Sequence, residues 1–154
     1  MQLIIKQSLI IFLYLFFLHP QNKLYSATEK QNIEDYGIIS LMYHRFEENK
    51  YPSTNIRIKD FKKHLEIINT QNISFVNPKT FEIDLNKNKN KRKVLLTIDD
   101  GFLSFYENAW PILKAKKIPF ILFINTREVG AFGYMNWEQI KEIDEEDFVE
   151  IGNH

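Results

Sequence analysis

Val94-Leu95-Leu96-Thr97-Ile98-Asp99-Asp100-Gly101-Phe102 determines the architecture that the rest of the chain must adopt. Its apolar and β-branched first part is typical of a strand buried on both faces, and two carboxylates and a glycine end it. Residues 102–115 then carry apolar side chains at helical spacing, which argues against a hairpin after the glycine. We therefore predict a strand, an acidic turn and a helix. The alternative is that Asp100-Gly101 is only a turn dipeptide.

The rest of the chain repeats the alternation of apolar strands and amphipathic helices. This order predicts a parallel sheet with helical crossovers. Asn136 and Gln139 predict a capping box at the start of the helix 137–146. In the helix 58–68, His64 falls on the solvated face. The basic, asparagine-rich segment 86–93 is typical of a solvated loop. The predicted strands are 37–43, which we expect to be buried, 74–76, 94–98, 119–124 and 148–152; the predicted helices are 58–68, 78–85, 102–115 and 137–146; and 46–57 is predicted as a loop.

Polar side chains follow directly after the predicted strands. In a parallel barrel these strand ends share one rim, so residues far apart in sequence converge there. A pair of acids at such an end predicts a functional site. Considered alone, His44 is better explained as an ordinary loop histidine. The residues at the predicted strand ends are His44, Asp99, Asp100, Asn125 and His154.

Composition limits the classes of partner and metal site. The chain has 154 residues, enough for one ordinary domain, and an apolar fraction of 44%, enough for a core. Its 20 basic and 20 acidic residues cancel, so nothing indicates a nucleic-acid partner. Because there are no cysteines, a metal would need His, Asp or Glu ligands. The oligomeric state is not indicated by the sequence.

The N-terminal residues 1–27 are typical of an export signal. A basic leading region is followed by the apolar run 9–18, by His19-Pro20 and by small residues at Ser26 and Ala27. The apolar run is about half of the roughly 20 residues that span a bilayer, which favours a cleaved signal. We predict an exported protein of the periplasm, cell envelope or exterior, which meets the membrane only through this signal. The alternative is a buried N-terminal helix. Residues 28–36 are then a lead-in to the domain 37–154.

Several motifs resemble those of one known family. Thr97-Ile98-Asp99-Asp100-Gly101 resembles the Thr-Phe-Asp-Asp-Gly motif of the polysaccharide deacetylases, the NodB-type carbohydrate esterases, with Ile98 in place of the usual Phe. Glu150-Ile151-Gly152-Asn153-His154 is similar to the approach to their second motif, His-Ser/Thr-x-x-His, with His154 as its first histidine. Segments 41–46 and 52–55 and the pair Trp110-Pro111 are similar to one bacterial branch of the family.

The resemblance implies a fold, a reaction and a set of site residues. The fold would be the N-terminal portion of a distorted (β/α) barrel with parallel strands, truncated after about five strands. The reaction would be metal-dependent hydrolysis of N-acetyl amide bonds in a polysaccharide. By this match Asp100 and His154 would bind a divalent metal, often Zn²⁺, and Asp99 would be the general base. Tyr43 and His44 would contact the substrate.

The chain departs from the family pattern after His154. The second histidine of the motif would lie four residues further on, and zinc sites normally have at least three protein ligands. We therefore predict that this chain is an N-terminal fragment, inactive alone. One alternative is a non-catalytic carbohydrate-binding or decayed deacetylase-like module. Another, a magnesium phosphotransfer site, ranks last because a glycine-rich phosphate loop is missing. In the binding-module alternative the glycan contacts would be Tyr43, Phe46, Trp110 and Trp137.

Overall fold

The strand predicted before the acidic turn lies at the centre of a parallel sheet. Every residue of this strand, Lys93–Ile98, is buried. In chain order the elements are β1 (Ile38–Tyr43), β2 (Arg45–Phe46), β3 (Asn55–Ile56), α1 (Ile58–Thr70), β4 (Ser74–Phe75), a 3-10 turn (Pro78–Thr80), α2 (Phe81–Asn86), β5 (Lys93–Ile98), α3 (Leu103–Asn108), α4 (Trp110–Lys116), β6 (Phe120–Ile124), α5 (Trp137–Asp144) and β7 (Val149–Asn153).

The computed structural model describes residues 36–87 and 89–154. The predicted export signal, 1–27, and all of the lead-in except Tyr36 lie outside the described residues. None of the helices within the described ranges is long and apolar enough to cross a membrane.

Strand β5 pairs with three other strands, all in parallel. On one side β1 pairs with it along its whole length, from Ile38 opposite Lys93 to Tyr43 opposite Ile98. On the other side β4 pairs with its start and β6 with its end, and β7 pairs with β6. The sheet therefore has five parallel strands joined by helical crossovers, which confirms the predicted fold class.

The crossover helices begin and break where the sequence chemistry requires it. Asn136 and Gln139 bond each other's backbone N–H reciprocally, each at 2.9 Å, which confirms the capping box of α5. The single predicted helix 102–115 is two helices, because Pro111 has no N–H to continue the bonding of α3. The break lies at Ala109, and α4 starts one residue before the proline.

A layer of aromatic rings packs between the sheet and the helices. Phe105 lies edge-on to Phe120, with 5.5 Å between ring centroids, and Trp110 lies 5.9 Å from the same ring. Phe46 packs edge-on against Phe61 of α1 at 5.1 Å. Tyr43, Phe46 and Trp110 are thus buried in the core, which does not favour glycan contact by three of the four aromatic residues suggested for it. The fourth, Trp137, is exposed.

Three other predictions about solvent exposure or local structure were wrong. Strand β1 is not a buried strand: it lies at the sheet edge, with Ile39 and Met42 62% and 60% exposed. Lys93 does not belong to a solvated loop, because it is buried and its ammonium donates to the carbonyls of Asp84 and Lys87 near the end of α2. The predicted loop 46–57 contains a short parallel pairing of β2 with β3.

Candidate functional site

The ends of four parallel strands bring polar residues to one rim of the sheet. Strands β1, β5, β6 and β7 end directly before His44, Asp99, Asn125 and His154, as predicted. Two backbone bonds continue the sheet past these ends. The Asp99 N–H donates to the Tyr43 carbonyl at 2.8 Å, and the His154 N–H donates to the Ile124 carbonyl at 3.0 Å. Asp99 and His154 are therefore held against their neighbouring strands.

The imidazole of His154 lies between the two acids of the turn. Its Nε2 is 3.6 Å from Oδ2 of Asp99 and 3.6 Å from Oδ1 of Asp100. These separations exceed an ordinary hydrogen bond, so the three groups are neighbours that leave room for a shared partner. Asp99 is the most buried of the three side chains and His154 the most exposed. The structure thus brings together the three residues that the family motifs singled out.

Asp99 has a buried carboxylate oxygen without a partner. Its Oδ1 forms no hydrogen bond within the described part of the chain. Burial raises the pKa of Asp99, the positive charges of His44 and His154 lower it, and the negative charge of Asp100 raises it. Because most buried polar atoms in proteins are hydrogen-bonded, an exception of this kind indicates a functional group.

The acidic turn has an unusual backbone. Asp100 has φ of 73° and Gly101 has φ of 75°, so two successive residues are left-handed. Aspartate tolerates this conformation better than most residues, and glycine adopts it freely. The segment 133–135 braces the turn: the Met135 N–H donates to the Gly101 carbonyl at 3.0 Å, and the Leu103 N–H to the Gly133 carbonyl at 2.9 Å. Asp100-Gly101 is a turn dipeptide, as the alternative interpretation of the sequence predicted. The turn also places the carboxylates of Asp99 and Asp100 at the rim.

The two residues predicted to contact substrate are placed differently. His44 is partly buried and close enough for its charge to lower the pKa of Asp99. Tyr43 is buried, its ring lies edge-on to Phe61 at 5.2 Å, and its hydroxyl is 3.0 Å from Nδ1 of His64. His64 is exposed as predicted, but its bond to Tyr43 had no signal in the sequence. Substrate contact by Tyr43 stays a prediction, which its burial does not favour.

A column of stacked groups near the turn was missed by the sequence analysis. The guanidinium carbon of Arg45 lies 3.4 Å from the ring centroid of Phe102 and 4.1 Å from that of Tyr51. Phe102 in turn packs on Tyr134, with 4.9 Å between centroids. Arg45 is also paired with Glu48 at 2.8 Å. We call Tyr51, Arg45, Phe102 and Tyr134 the aromatic stack. Phe102 directly follows the acidic motif and Arg45 lies in the segment 41–46, but neither pattern predicts their contact.

The donors at the rim fit part of a metal site. A carboxylate oxygen of Asp100 and an imidazole nitrogen of His154 are the donor types that zinc binds in cysteine-free sites. The unpaired oxygen of Asp99 adds a third polar atom close by. Across residues 36–87 and 89–154, however, no group of three or more His, Cys, Asp or Glu side chains is arranged to hold an ion. Within the described residues, Asp100 and His154 therefore fit as two of the ligands of such a metal site.

Comparison with known proteins gives consistent matches. The family described as polysaccharide deacetylase matches residues 86–154. YxkH of Bacillus subtilis (strain 168), whose name assigns it provisionally to the polysaccharide deacetylases, is 28% identical over 105 residues, which are 67% of this chain and 37% of that protein. The poly-beta-1,6-N-acetyl-D-glucosamine N-deacetylase of Staphylococcus aureus (strain MSSA476) is 28% identical over 137 residues, which are 79% of this chain and 47% of the relative.

Solved structures share the fold. IcaB from Ammonifex degensii superimposes with a TM-score of 0.68 at 33% identity, over 77% of this chain and 52% of that one. The Streptococcus pyogenes deacetylase PplD, solved with acetate, gives a TM-score of 0.64 at 24% identity, over 76% and 55% of the two chains. The prediction of part of a (β/α) barrel is thereby confirmed. The chain spans about half the length of most of these relatives. By its motifs, its fold and these matches, the chain is similar to the polysaccharide deacetylases, whose family pattern matches its residues 86–154.

Proposed function

We propose that these residues belong to a metal-dependent hydrolase that removes N-acetyl groups from a polysaccharide. The observation that supports this most strongly is the convergence of Asp99, Asp100 and His154 at one rim. The relative from Staphylococcus aureus is named for action on poly-beta-1,6-N-acetyl-D-glucosamine, which suggests the substrate class. Because the chain spans about half of such relatives, the activity is proposed for the natural protein that carries this sequence.

Asp100 and His154 are the residues that would hold the metal, with Zn²⁺ the expected ion. A bound ion of this kind would polarise a carbonyl and lower the pKa of bound water to about 7. A zinc site normally needs at least one donor more than these two residues provide. The left-handed Asp100 supports this role, because backbone strain of this kind concentrates at functional sites.

Asp99 is proposed as the general base. Its Oδ1 has no partner in the described chain, so the carboxylate is not saturated by protein hydrogen bonds and can accept the proton of a water that attacks the acetyl carbon. The bond from its N–H to the Tyr43 carbonyl fixes the residue during this transfer. The amide C–N bond then breaks, acetate leaves, and the proton passes to the sugar amine. His44, whose charge reaches Asp99, is proposed to contact the substrate at the same rim.

We also propose that the protein is exported, because residues 1–27 have the pattern of an export signal. The non-catalytic binding module is less well supported, since Tyr43, Phe46 and Trp110 are buried.

The test is acetate release from N-acetylated glucosamine oligomers by the natural protein. We expect a rate that disappears with a chelator and returns with Zn²⁺. Asp99→Asn should lower the rate by about 10²- to 10⁴-fold, the usual contribution of a general base. Asp147→Asn is the matched control, because Asp147 is exposed and lies before β7.

Two outcomes would count against these proposals. An unchanged rate in Asp99→Asn would show that the base is wrongly assigned. Acetate release by the 154-residue chain alone would contradict the prediction that it is inactive without a further metal donor.

A further inference from the structure

Within the aromatic stack, Arg45 carries a charge that is almost covered. Its side chain is 17% exposed, and its Nη1 donates to Oε2 of Glu48 at 2.8 Å. The guanidinium carbon also lies 3.4 Å from the ring centroid of Phe102 and 4.1 Å from that of Tyr51. Because a charged group loses hydration when it is covered, an apolar side chain would pack here without that loss. An arginine at this position therefore indicates a role that packing alone does not supply.

The backbone of Arg45 is fixed independently of its side chain. Its N–H donates to the Thr54 carbonyl at 3.0 Å, and the Glu47 N–H donates to the Ile56 carbonyl at 3.0 Å. These bonds join β2 to β3. The guanidinium therefore extends from a part of the chain that β3 holds in place.

The ring of Phe102 belongs to the anchor of the acidic turn. Phe102 follows Gly101 directly, and it forms an antiparallel backbone bridge with Tyr134, on whose ring its own ring packs. The two backbone bonds that brace the turn are donated by the N–H groups of Leu103 and Met135, the residues that directly follow this pair. Movement of the Phe102 ring would therefore disturb both bonds.

A further bond joins β2 to the same stretch of chain. The Phe46 N–H donates to the buried hydroxyl of Ser104 at 3.2 Å. Arg45 and Phe46 thus contact residues 102 and 104, just after the acidic turn, one through a ring contact and the other through a hydrogen bond. The left-handed turn is thereby linked to two separate segments, 133–135 and β2.

We propose that Arg45 is a positioning residue, which holds Asp99 and Asp100 in place for the reaction by stacking on Phe102. This inference rests on the proposed function for its chemical consequence. An arginine suits this role because its planar guanidinium stacks on an aromatic face while its N–H groups bond a carboxylate, here that of Glu48. A lysine would keep the charge but would lack the flat contact surface.

The experiment measures amide hydrogen exchange in the 154-residue chain without metal. We expect Arg45→Lys and Arg45→Met each to speed exchange of the Leu103 and Met135 amides by about 3- to 30-fold, the size of one cation–π contact. The Gln139 amide at the start of α5 should change by less than about twofold, because it opens independently of the turn. Phe102→Leu should have the same effect as Arg45→Met, and the two changes together should add little.

Arg57→Lys is the matched control for the loss of an arginine. Arg57 pairs with Asp60 at 2.9 Å, three residues along the chain, just as Arg45 pairs with Glu48. Its side chain is 66% exposed, and within the described ranges it contacts no aromatic ring. This variant should leave exchange of the two turn amides unchanged.

In the natural protein that carries this sequence, the same variants separate positioning from substrate binding. We expect Arg45→Met to lower kcat for acetate release by about 10-fold and to change KM by less than about twofold. The reason is that misplaced acids slow the reaction without weakening the binding of the polymer.

The outcomes separate this inference from the proposed function. Unchanged exchange at Leu103 and Met135 in both Arg45 variants would overturn the positioning role, even if urea unfolding showed a loss of stability, because Arg45 would then support only the fold. A rise in KM with kcat intact would overturn it as well, because Arg45 would then act in substrate binding. If Asp99→Asn leaves acetate release unchanged, the proposed function fails, while hydrogen exchange still decides whether Arg45 holds the turn.

Discussion

The hydroxyl of Tyr106 on α3 donates a 2.5 Å hydrogen bond to Oε2 of Glu142 on α5. The other carboxylate oxygen accepts from Lys114 of α4 at 3.0 Å and from the Trp110 indole at 3.3 Å. One carboxylate therefore joins three helices on one side of the sheet. Its pKa is lowered from 4.5 to about 2, first by the bond from Tyr106 and then by those from Lys114 and Trp110.

Glu142 should make stability depend on pH at acidic values. A carboxyl whose pKa is lower in the folded chain than in the unfolded one stabilises the fold above about pH 4.5, and this contribution is lost as the pH falls towards 2. Because the side chain is 41% exposed, solvent screening limits the effect to about 1 kcal/mol. In urea unfolding we expect Glu142→Gln to be less stable than the unchanged chain at pH 7 and nearly equal to it near pH 2. Glu107→Gln, on an exposed site of α3, should show no such difference.

Asp99→Asn should not destabilise the metal-free chain. The ionised carboxylate of Asp99 is buried with one oxygen unpaired, which opposes folding at pH 7. We expect the neutral amide to leave the free energy of unfolding unchanged or to raise it by about 1 kcal/mol. Thermal unfolding in the presence of a chelator measures this. A loss of more than about 2 kcal/mol would mean that the carboxylate makes stabilising bonds that the structure does not show.

Gly152→Ala should destabilise β7 and move His154. A Cβ at Gly152 would lie 2.5 Å from both Cδ1 and Cε1 of Phe123 on the paired strand β6. Relief of this overlap requires the ring or the strand to shift, at a cost of about 1–3 kcal/mol. Urea unfolding and the NMR shifts of His154 report the two effects. Glu150→Ala, at an exposed position of the same strand, is the control and should leave both nearly unchanged.

The bond between Tyr43 and His64 should stabilise the link between β1 and α1. Tyr43→Phe and His64→Ala each remove it, and each should lower the free energy of unfolding by about 1 kcal/mol. In a double-mutant cycle the second change should then cost little once the first is made. Fully additive losses would show that the two side chains do not interact in solution.

The sequence was most informative where short-range chemistry determines structure. The apolar run before Asp99 predicts a buried central strand, and Asn136 with Gln139 predicts the helix start. The position of His154 beside Asp99 and Asp100 also follows from the predicted parallel sheet, because parallel strands place their carboxyl ends at one rim.

Features that depend on distant partners could not be predicted. The apolar composition of β1 does not reveal that it lies at a sheet edge, and the exposure of Ile39 follows from that position. Lys93 was assigned to a solvated loop because its neighbours are basic, whereas carbonyls near the end of α2 bind its ammonium. The contact of Arg45 with Phe102 joins segments that no local pattern connects.

The exposed edge of β1 has a consequence for the behaviour of the chain in concentrated solution. On the side away from β5, β1 pairs with no other strand of the part that the structure describes, and Ile39 and Met42 point apolar surface outwards. Such an edge can template pairing with a strand of another molecule. The sedimentation coefficient and light scattering of the 154-residue chain should therefore increase with protein concentration, and Ile39→Lys should suppress the increase by making self-association electrostatically unfavourable.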